Sequence, residues 1–413
     1  MSRKLRVLIV FVLAVGLVAA IGSSNAQEGE PLRIGVLTDH SGALSIYGFE
    51  QTQGFELGLE YATDNTMVVA GRPLEVIVRD NGGDTDTAIA DARELIESEG
   101  VEILVGTVSS TVTLSLQASA IEYDVILMAG PAATPSITAD NFNVNTFRVC
   151  RNSFQDAFAA AQFGLNEYGS NYVQLAPDSA FGVGSAGAFD FALQNLGAEA
   201  VRETILVAAD TTDFTPAITE VLDSGADFVV VTWAGASGVT LFNQMAELGL
   251  QDEMGMLTGF NSNDIQDQLQ TNTTGDRGFI VYHYTLPDTE INDWMIERYA
   301  EAYDDVPDLF SECGFATAQA LVAALGETDG DTFPENMIPA LEGLTFDGPK
   351  GEYFIRPEDH QALVPMYIIE MIDPDSETFE YYELLDTVSA EDTAPPCLAP
   401  GRSSDTVECP PAE

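Results

Sequence analysis

Basic residues are what this chain most lacks. Lysine occurs only at Lys4 and Lys350, and lysine and arginine together number 15 against 66 aspartates and glutamates, for a net charge of -51. A surface of that sign repels phosphate backbones and anionic lipid headgroups, which argues against nucleic acid as a partner. Histidine is nearly as scarce, with His40, His283 and His360 alone, and the four cysteines include no CxxC pair. A zinc site has little to draw on. Also missing are a GxSxG elbow, an HExxH helix and any nucleophile with a histidine close by, so the sequence makes no case for an enzyme. Apolar runs long enough to span a bilayer are absent as well. The longest, Val7 to Ile21, falls short of the roughly 20 residues required, and no direct membrane insertion is expected.

That short run has a different use. Arg3, Lys4 and Arg6 precede it, and Ser24, Asn25 and Ala26 follow it, which is the layout of a secretory signal cut before Gln27. Residues 1–26 are therefore set aside as a signal peptide, and the protein is expected to be exported, periplasmic or extracytoplasmic. No cysteine sits at the cut to carry a lipid. Removing the signal takes three basic groups and no acid, so a net charge of -51 becomes -54. So many carboxylates repel one another unless salt screens them, and the composition reads as that of an acidic, halophilic protein.

Export makes disulfides available to Cys150, Cys313, Cys397 and Cys409, and four cysteines allow three pairings. Pairing Cys397 with Cys409 closes a small loop near the C-terminus. Cys150 and Cys313 are then left to pair, if their segments meet, or to remain free thiols.

What the chain has in abundance is a pattern stated twice. Short runs rich in valine, isoleucine and leucine begin at Arg33 (RIGVLTD), Leu74 (LEVIVRD), Val101 (VEILVG) and Asp124 (DVILMAG). The cadence repeats at Tyr172 (YVQLA), Val201 (VRETILV), Asp227 (DFVVVTW) and Met254 (MGMLTG), with helical periodicity between the runs. Each run is too short for a buried helix and is bounded by turn residues, so parallel strands are predicted. The fold class is α/β, with two Rossmann-like lobes, each a mainly parallel sheet flanked by helices, and a cleft between them. Length agrees, since single cores stop growing at about 250 to 300 residues.

Open α/β sheets bind ligands beyond the carboxyl ends of their strands, so those ends carry the candidate site. After the strand ending at Gly106 come Thr107, Val108, Ser109, Ser110 and Thr111, then a helix. That junction combines free backbone N–H groups with hydroxyls and favours an anion such as a carboxylate. The next strand ends in Gly130, Pro131, Ala132, Ala133, Thr134 and Pro135. In the second lobe Phe181 and Trp233 are large rings in strand-end loops, suited to covering a ligand. Gly182 to Gly187 matches GxGxxG, but five residues separate it from the strand, too far for a dinucleotide turn. No cofactor is expected.

Several of these segments resemble one family. SGALSIYG (Ser41 to Gly48), the SST turn (Ser109 to Thr111), PAAT (Pro131 to Thr134), Phe181 with Gly182, and FDGPKG (Phe346 to Gly351) are similar to the periplasmic leucine/isoleucine/valine-binding type of solute-binding protein, over about residues 31–386. The resemblance implies the type I periplasmic binding protein fold, with a three-crossover hinge. It also implies a monomeric receptor that traps a small-molecule ligand by hinge closure and delivers it to the membrane permease subunits of an ABC importer. By position, Ser110, Ala132 and Thr134 would hold an amino acid's carboxylate and Tyr47 would line the same lobe. Phe181 would be the first closing ring. The second falls at Ala234, beside Trp233, and the acid that clasps an ammonium falls near Phe260 or Asn261, neither of which is acidic. With Phe181, Trp233, Phe260, Tyr282 and Tyr284 as candidates for the cleft, an aromatic or branched carboxylate or an amide becomes an alternative to an α-amino acid. A soluble sensory ligand-binding protein is the alternative role.

The implied chain path leaves lobe one near Arg148, returns near Tyr284 and crosses again between Gly348 and Ile355. Arg148 and Arg151, at the first of these crossings, are expected either to meet an anion or to form a hinge ion pair. Lobe one is then 31–148 plus 285–350, and lobe two is 149–284 plus 351–386. The path makes Cys150 and Cys313 neighbours at the hinge. Residues 387–413 read as a tail, disordered or tied only by its own disulfide.

Overall fold

The computed structural model describes residues 29–270 and 273–411. The expected signal segment lies outside them. The first sheet is built from β1 (Leu32–Thr38), β2 (Val68–Val69), β3 (Arg72–Asp80), β4 (Ile103–Gly106), β5 (Ile126–Ala129) and β6 (Thr146–Arg148), in the spatial order β2-β3-β1-β4-β5-β6. All neighbours are parallel except β2, which runs against β3. Every side chain of β4 and β5 is buried, as expected for strands covered by helices on both faces. The second sheet contains β7 (Asn171–Pro177), β8 (Glu199–Ala200), β9 (Ile205–Val207), β10 (Phe228–Val231) and β11 (Gly255–Thr258). Its order is β11-β10-β7-β8, all parallel, with β9 also on β7.

The helices that matter for the cleft are α1 (Ser45–Ala62), α2 (Thr85–Glu97), α3 (Ser110–Glu122), α4 (Ser153–Tyr168) and α5 (Ala180–Asn195). Helix α2 starts as its sequence requires, with the Asp84 side chain accepting from the Thr87 N–H at 2.8 Å. Helix α4 opens on a full capping box, in which Asn152 accepts from the Gln155 N–H and Gln155 reaches back to the Asn152 N–H at 2.9 Å. Helix α1 lies tightly against the helix Ser311–Glu327. A Cβ at Gly54 would stand 1.9 Å from the Ser311 carbonyl oxygen, so only glycine permits this approach. The close contact fixes Ser311–Glu327 in lobe one, where the disulfide Cys150–Cys313 joins it to the first crossing.

Buried residues mark the crossings. Val149 belongs to the core around β1 and β4, whereas Phe154 belongs to the core around β7 and β10. Val281 packs with the second lobe and Tyr282 with Leu57 and Phe315 of the first. The third crossing differs from expectation. Tyr353, Ile355, Ala362 and Val364 share the first lobe's core, and the chain passes over only between Val364 and Met366. Residues 351–364 thus sit with lobe one, because the antiparallel ladder from Thr345–Gly348 through Gly351–Ile355 to Ala362–Leu363 keeps them there. Strand Met366–Met371 pairs antiparallel with Arg277–Ile280 in lobe two.

The segment after residue 387 is also placed differently from the expected loose tail. It runs through strand Tyr382–Val388 on the lobe-two side and then returns to lobe one. Thr393 Oγ1 donates to the Val364 carbonyl at 3.0 Å, Arg356 Nη1 to the Pro395 carbonyl at 2.8 Å, and Arg402 pairs with Glu342. The disulfide Cys397–Cys409 closes a loop that packs on Phe142. Enough apolar and hydrogen-bonded contact exists to hold the segment, so its polar composition misleads.

Candidate functional site

A cavity of about 340 Å³ lies between the lobes at the carboxyl ends of β1, β4, β7 and β10. Tyr47, Ser109, Ser110, Phe181, Trp233, Ala234, Phe260 and Asn261 all line it. These come from segments more than two hundred residues apart, brought together because both sheets present the same edge to one crevice.

On the lobe-one wall, Ser109 is the N-cap of α3 and its hydroxyl accepts from the Val112 N–H. Ser110 Oγ accepts from the Thr134 N–H at 3.2 Å, which leaves the hydroxyl hydrogen free to be donated. The Ser110 and Thr111 N–H groups that open α3 have no partner within the helix, and both residues line the cavity. Tyr47 stands edge-on to Phe310 at 5.0 Å, and its Oη accepts the Gly235 N–H of the opposite lobe at 3.1 Å. The Ala236 N–H donates to the Ala43 carbonyl at 3.0 Å beside it. The cleft is shut along this rim.

The lobe-two wall carries five rings beside the polar side chains of Ser179, Ser185, Thr232, Ser237 and Asn261. Trp233 packs edge-on to Phe214 at 5.1 Å and its Nε1–H donates to Ser237 Oγ at 3.1 Å. Phe260 is edge-on to Tyr382 at 5.1 Å, and Phe181 begins α5 half-buried. Phe189 and Phe279 add two further rings.

Four expected residues are not on the wall. Ala132 and Thr134 are turned inward: the Ala132 N–H donates to the Thr107 carbonyl, and both carbonyls accept from Arg148 Nη1, at 3.1 and 2.7 Å. Pro131 and Ala133 line the cavity in their place. Arg148 is wholly buried, and burial pulls its guanidinium pKa down to about 9, with the charge of Arg151 adding to the effect. Tyr282 donates to Asn292 Oδ1 at 2.7 Å inside a separate lobe-one cluster with Leu57 and Met295. Tyr284 donates to the Thr378 carbonyl at 2.6 Å. Their alternation belongs to the chain's return to lobe one, where ring packing directs them away from the cleft.

Arg151, a candidate from sequence for an anion contact or a hinge ion pair, lines the cavity, and so do two charged residues not singled out there, Asp39 and Asp156. Asp39 Oδ1 accepts from the Gly83 N–H at 3.0 Å while Oδ2 is buried without a partner. Burial pushes its carboxyl up to about 6, opposed by the Gly83 N–H, reinforced by the charge of Asp80, and opposed again by the Ser109 N–H. The signal was available, since Asp39 directly follows the strand at Arg33. Arg151 and Asp156 form an ion pair at 3.2 Å on the hinge floor.

The GxGxxG segment lies inside α5, not at a strand-to-helix turn. Its Gly184 serves contact between lobes: a Cβ there would stand 2.3 Å from Thr134 Oγ1. Among the described residues no group of three metal-ligating side chains is assembled, and no helix is long and apolar enough to cross a membrane.

Two α/β lobes joined by three crossings, with a cavity of ligand size closed between them, define a type I periplasmic binding protein. A family model described as periplasmic binding protein matches residues 31–376, and the chain belongs to that family. It is similar to the Leu/Ile/Val-binding protein homolog 6 of Brucella abortus (strain 2308), 25% identical over 373 residues that cover 88% of this chain and 93% of the relative. Among solved structures it is similar to an ABC-type branched-chain amino acid transporter from Rhodopseudomonas palustris CGA009, at 31% identity and a TM-score of 0.74, covering 89% of this chain and 99% of the other. The fold is shared with a solute binding protein of an ABC transporter from Rhodopseudomonas palustris BisB5, solved with 3,4-dihydroxy benzoic acid, at 22% identity and a TM-score of 0.77, covering 87% and 98%.

Proposed function

We propose that this protein is the exported, extracytoplasmic receptor of an ABC importer, a monomer that captures a small amino acid-like or carboxylate ligand and presents it to the permease subunits without altering it. One observation carries this reading: a cavity of about 340 Å³ has hydroxyls and helix N–H groups on one wall, rings on the other, and a hinge behind. Such a cavity holds a molecule with one polar end and one apolar end.

A second reading narrows the ligand to an aromatic or branched carboxylate, or an amide. Phe260 and Asn261 stand where an ammonium would need an acid, and five rings line lobe two. The likeness to a protein solved with 3,4-dihydroxy benzoic acid supports it. Against it stands Asp39, a carboxyl in the cavity that can receive an ammonium. Mass spectrometry of whatever co-purifies, followed by calorimetry with leucine, phenylalanine, benzoate and benzamide, decides between them. Turnover of a bound compound, or the absence of binding across the panel, would sink the receptor reading.

We also infer a saline setting from the charge of -51. The melting midpoint should rise steeply from low to molar NaCl as carboxylate repulsion is screened, and a flat response would remove the inference.

A further inference from the structure

We propose that Arg151 receives the ligand's carboxylate and so sets the specificity of the cleft. The proposal rests on the reading of the cleft as a site for small carboxylates and goes one step further, to the group that recognises the anionic end.

Arg151 follows the first crossing, is 8% exposed, and lines the cavity. Two of its three nitrogens are fixed. Nε donates to Asp156 Oδ1 at 3.2 Å and Nη1 to the Pro131 carbonyl at 3.2 Å, while the guanidinium carbon lies 5.4 Å from the centre of the Phe310 ring. Nη2 has no hydrogen-bond partner among the described residues. A guanidinium anchored by its neighbours, stacked on a ring and left with spare N–H groups is ready for a planar oxyanion. Two other buried cations stand nearby, and neither is on the wall: Arg148 is committed to the Ala132 and Thr134 carbonyls, and Lys350 is turned to the Val281 carbonyl at 2.9 Å.

The donors that position alone would assign to a carboxylate are already in use. The Ala132 N–H donates to Thr107 and the Thr134 N–H to Ser110 Oγ. A second anion beside Asp39 would meet its charge whenever that carboxyl is ionised. The hydroxyl of Ser110 remains as a supporting donor, and among the described residues Arg151 is the one cation lining the cavity.

The test is calorimetry on the full exported protein with two pairs of probes, benzoate against benzamide and leucine against leucinamide. Wild type should favour the carboxylate of at least one pair. Arg151→Gln should weaken that carboxylate about 10- to 100-fold and leave the amide within about 3-fold, so that the preference collapses. Arg151→Lys keeps a charge beside Asp156 but loses the fork, and should retain only part of the preference. It also serves if Arg151→Gln does not fold. A folded Arg151→Gln or Arg151→Lys with the wild-type preference intact would overturn the assignment of Arg151 alone. A wild type that binds neither carboxylate overturns the carboxylate reading itself, and this inference with it.

Discussion

The two walls of the cleft divide the labour of recognition. Lobe one offers Asp39, Ser109, Ser110 and Thr111, short polar groups held by strand ends and a helix start, with the rings of Tyr47 and Phe310, whereas lobe two offers five rings, Phe181, Phe189, Trp233, Phe260 and Phe279, among a few hydroxyls. Polar contacts are directional and demand fixed partners, so they belong on the lobe whose turns are pinned by Arg148 and the Cys150–Cys313 disulfide. Ring contacts tolerate small displacements, as the proposed closure of one lobe on the other requires. Lobe one, together with Arg151 on the hinge floor, should choose the ligand's polar end, and the rings of lobe two should hold its body.

The largest expected effect comes from stripping a ring from lobe two. Trp233→Ala removes an indole that packs on Phe214 and bonds to Ser237, at a cost of about 3 to 5 kcal/mol in stability. Melting curves should show that loss, and calorimetry should show an aromatic ligand weakened more than an aliphatic one. The matching change in lobe one is Ser110→Ala. It leaves the buried Thr134 N–H unpaired, costs about 1 to 3 kcal/mol, and should weaken carboxylates whatever their side chain. Thr134→Ala is the control: that hydroxyl makes no hydrogen bond among the described residues, and affinity should stay near wild type. A ring deletion that weakened all ligands equally would erase the distinction between the walls.

Closure itself can be broken without touching either wall. Gly184→Val would place side-chain atoms where Thr134 Oγ1 already stands 2.3 Å from a mere Cβ, so the lobes could not meet there. Ligand should bind about 10-fold or more weakly, through faster release, if the lost closure is worth at least about 1.4 kcal/mol. Small-angle scattering with saturating ligand should show a larger radius than wild type. An unchanged radius and affinity would mean that this contact does not limit the swing.

Much of this architecture is legible in the sequence for a plain reason. Strands covered on both faces must be apolar throughout, so runs such as VEILVG and DFVVVTW announce themselves, and strand-end turns follow directly. Ser109, Ser110, Phe181 and Trp233 could be found that way. Arg151 could be found as a charge beside the first crossing, but its partner Asp156 could not, because one half of an ion pair on a hinge floor looks like surface charge until the crossings are placed. Tyr282 and Tyr284 misled for the converse reason: their alternation shows a strand-like segment, not the lobe toward which it turns. The docked segment after residue 387 was hidden because its anchors, Thr393, Arg402 and the Pro395 carbonyl, are polar and distant in sequence from their partners Val364, Glu342 and Arg356.

The smallest expected effect is a pH dependence of the seam between the lobes. Asp308 Oδ2 accepts the Asn263 N–H of lobe two at 2.6 Å, and Oδ1 accepts the Leu309 N–H at 2.8 Å. Glu50 Oε2 accepts the Phe310 N–H at 3.0 Å from within lobe one. Burial raises the pKa of both carboxyls above their ordinary values of 3.8 and 4.5. For Glu50 the charge of Asp308 adds to it, and for Asp308 the Asn263 and Leu309 N–H groups oppose it before Asp264 and Asp305 add. A raised folded-state pKa means that the native protein holds a proton which the unfolded chain has released. Stability from this pair is therefore complete below the unfolded values and is lost as pH rises toward the raised ones, by at most about 1.4 kcal/mol per pH unit for each group. Asp308→Asn removes one of the two titrations while keeping an oxygen to accept from Asn263. Between pH 4 and 8 its melting midpoint should fall less steeply than that of wild type, and a variant whose midpoint fell just as steeply would show that the seam does not titrate.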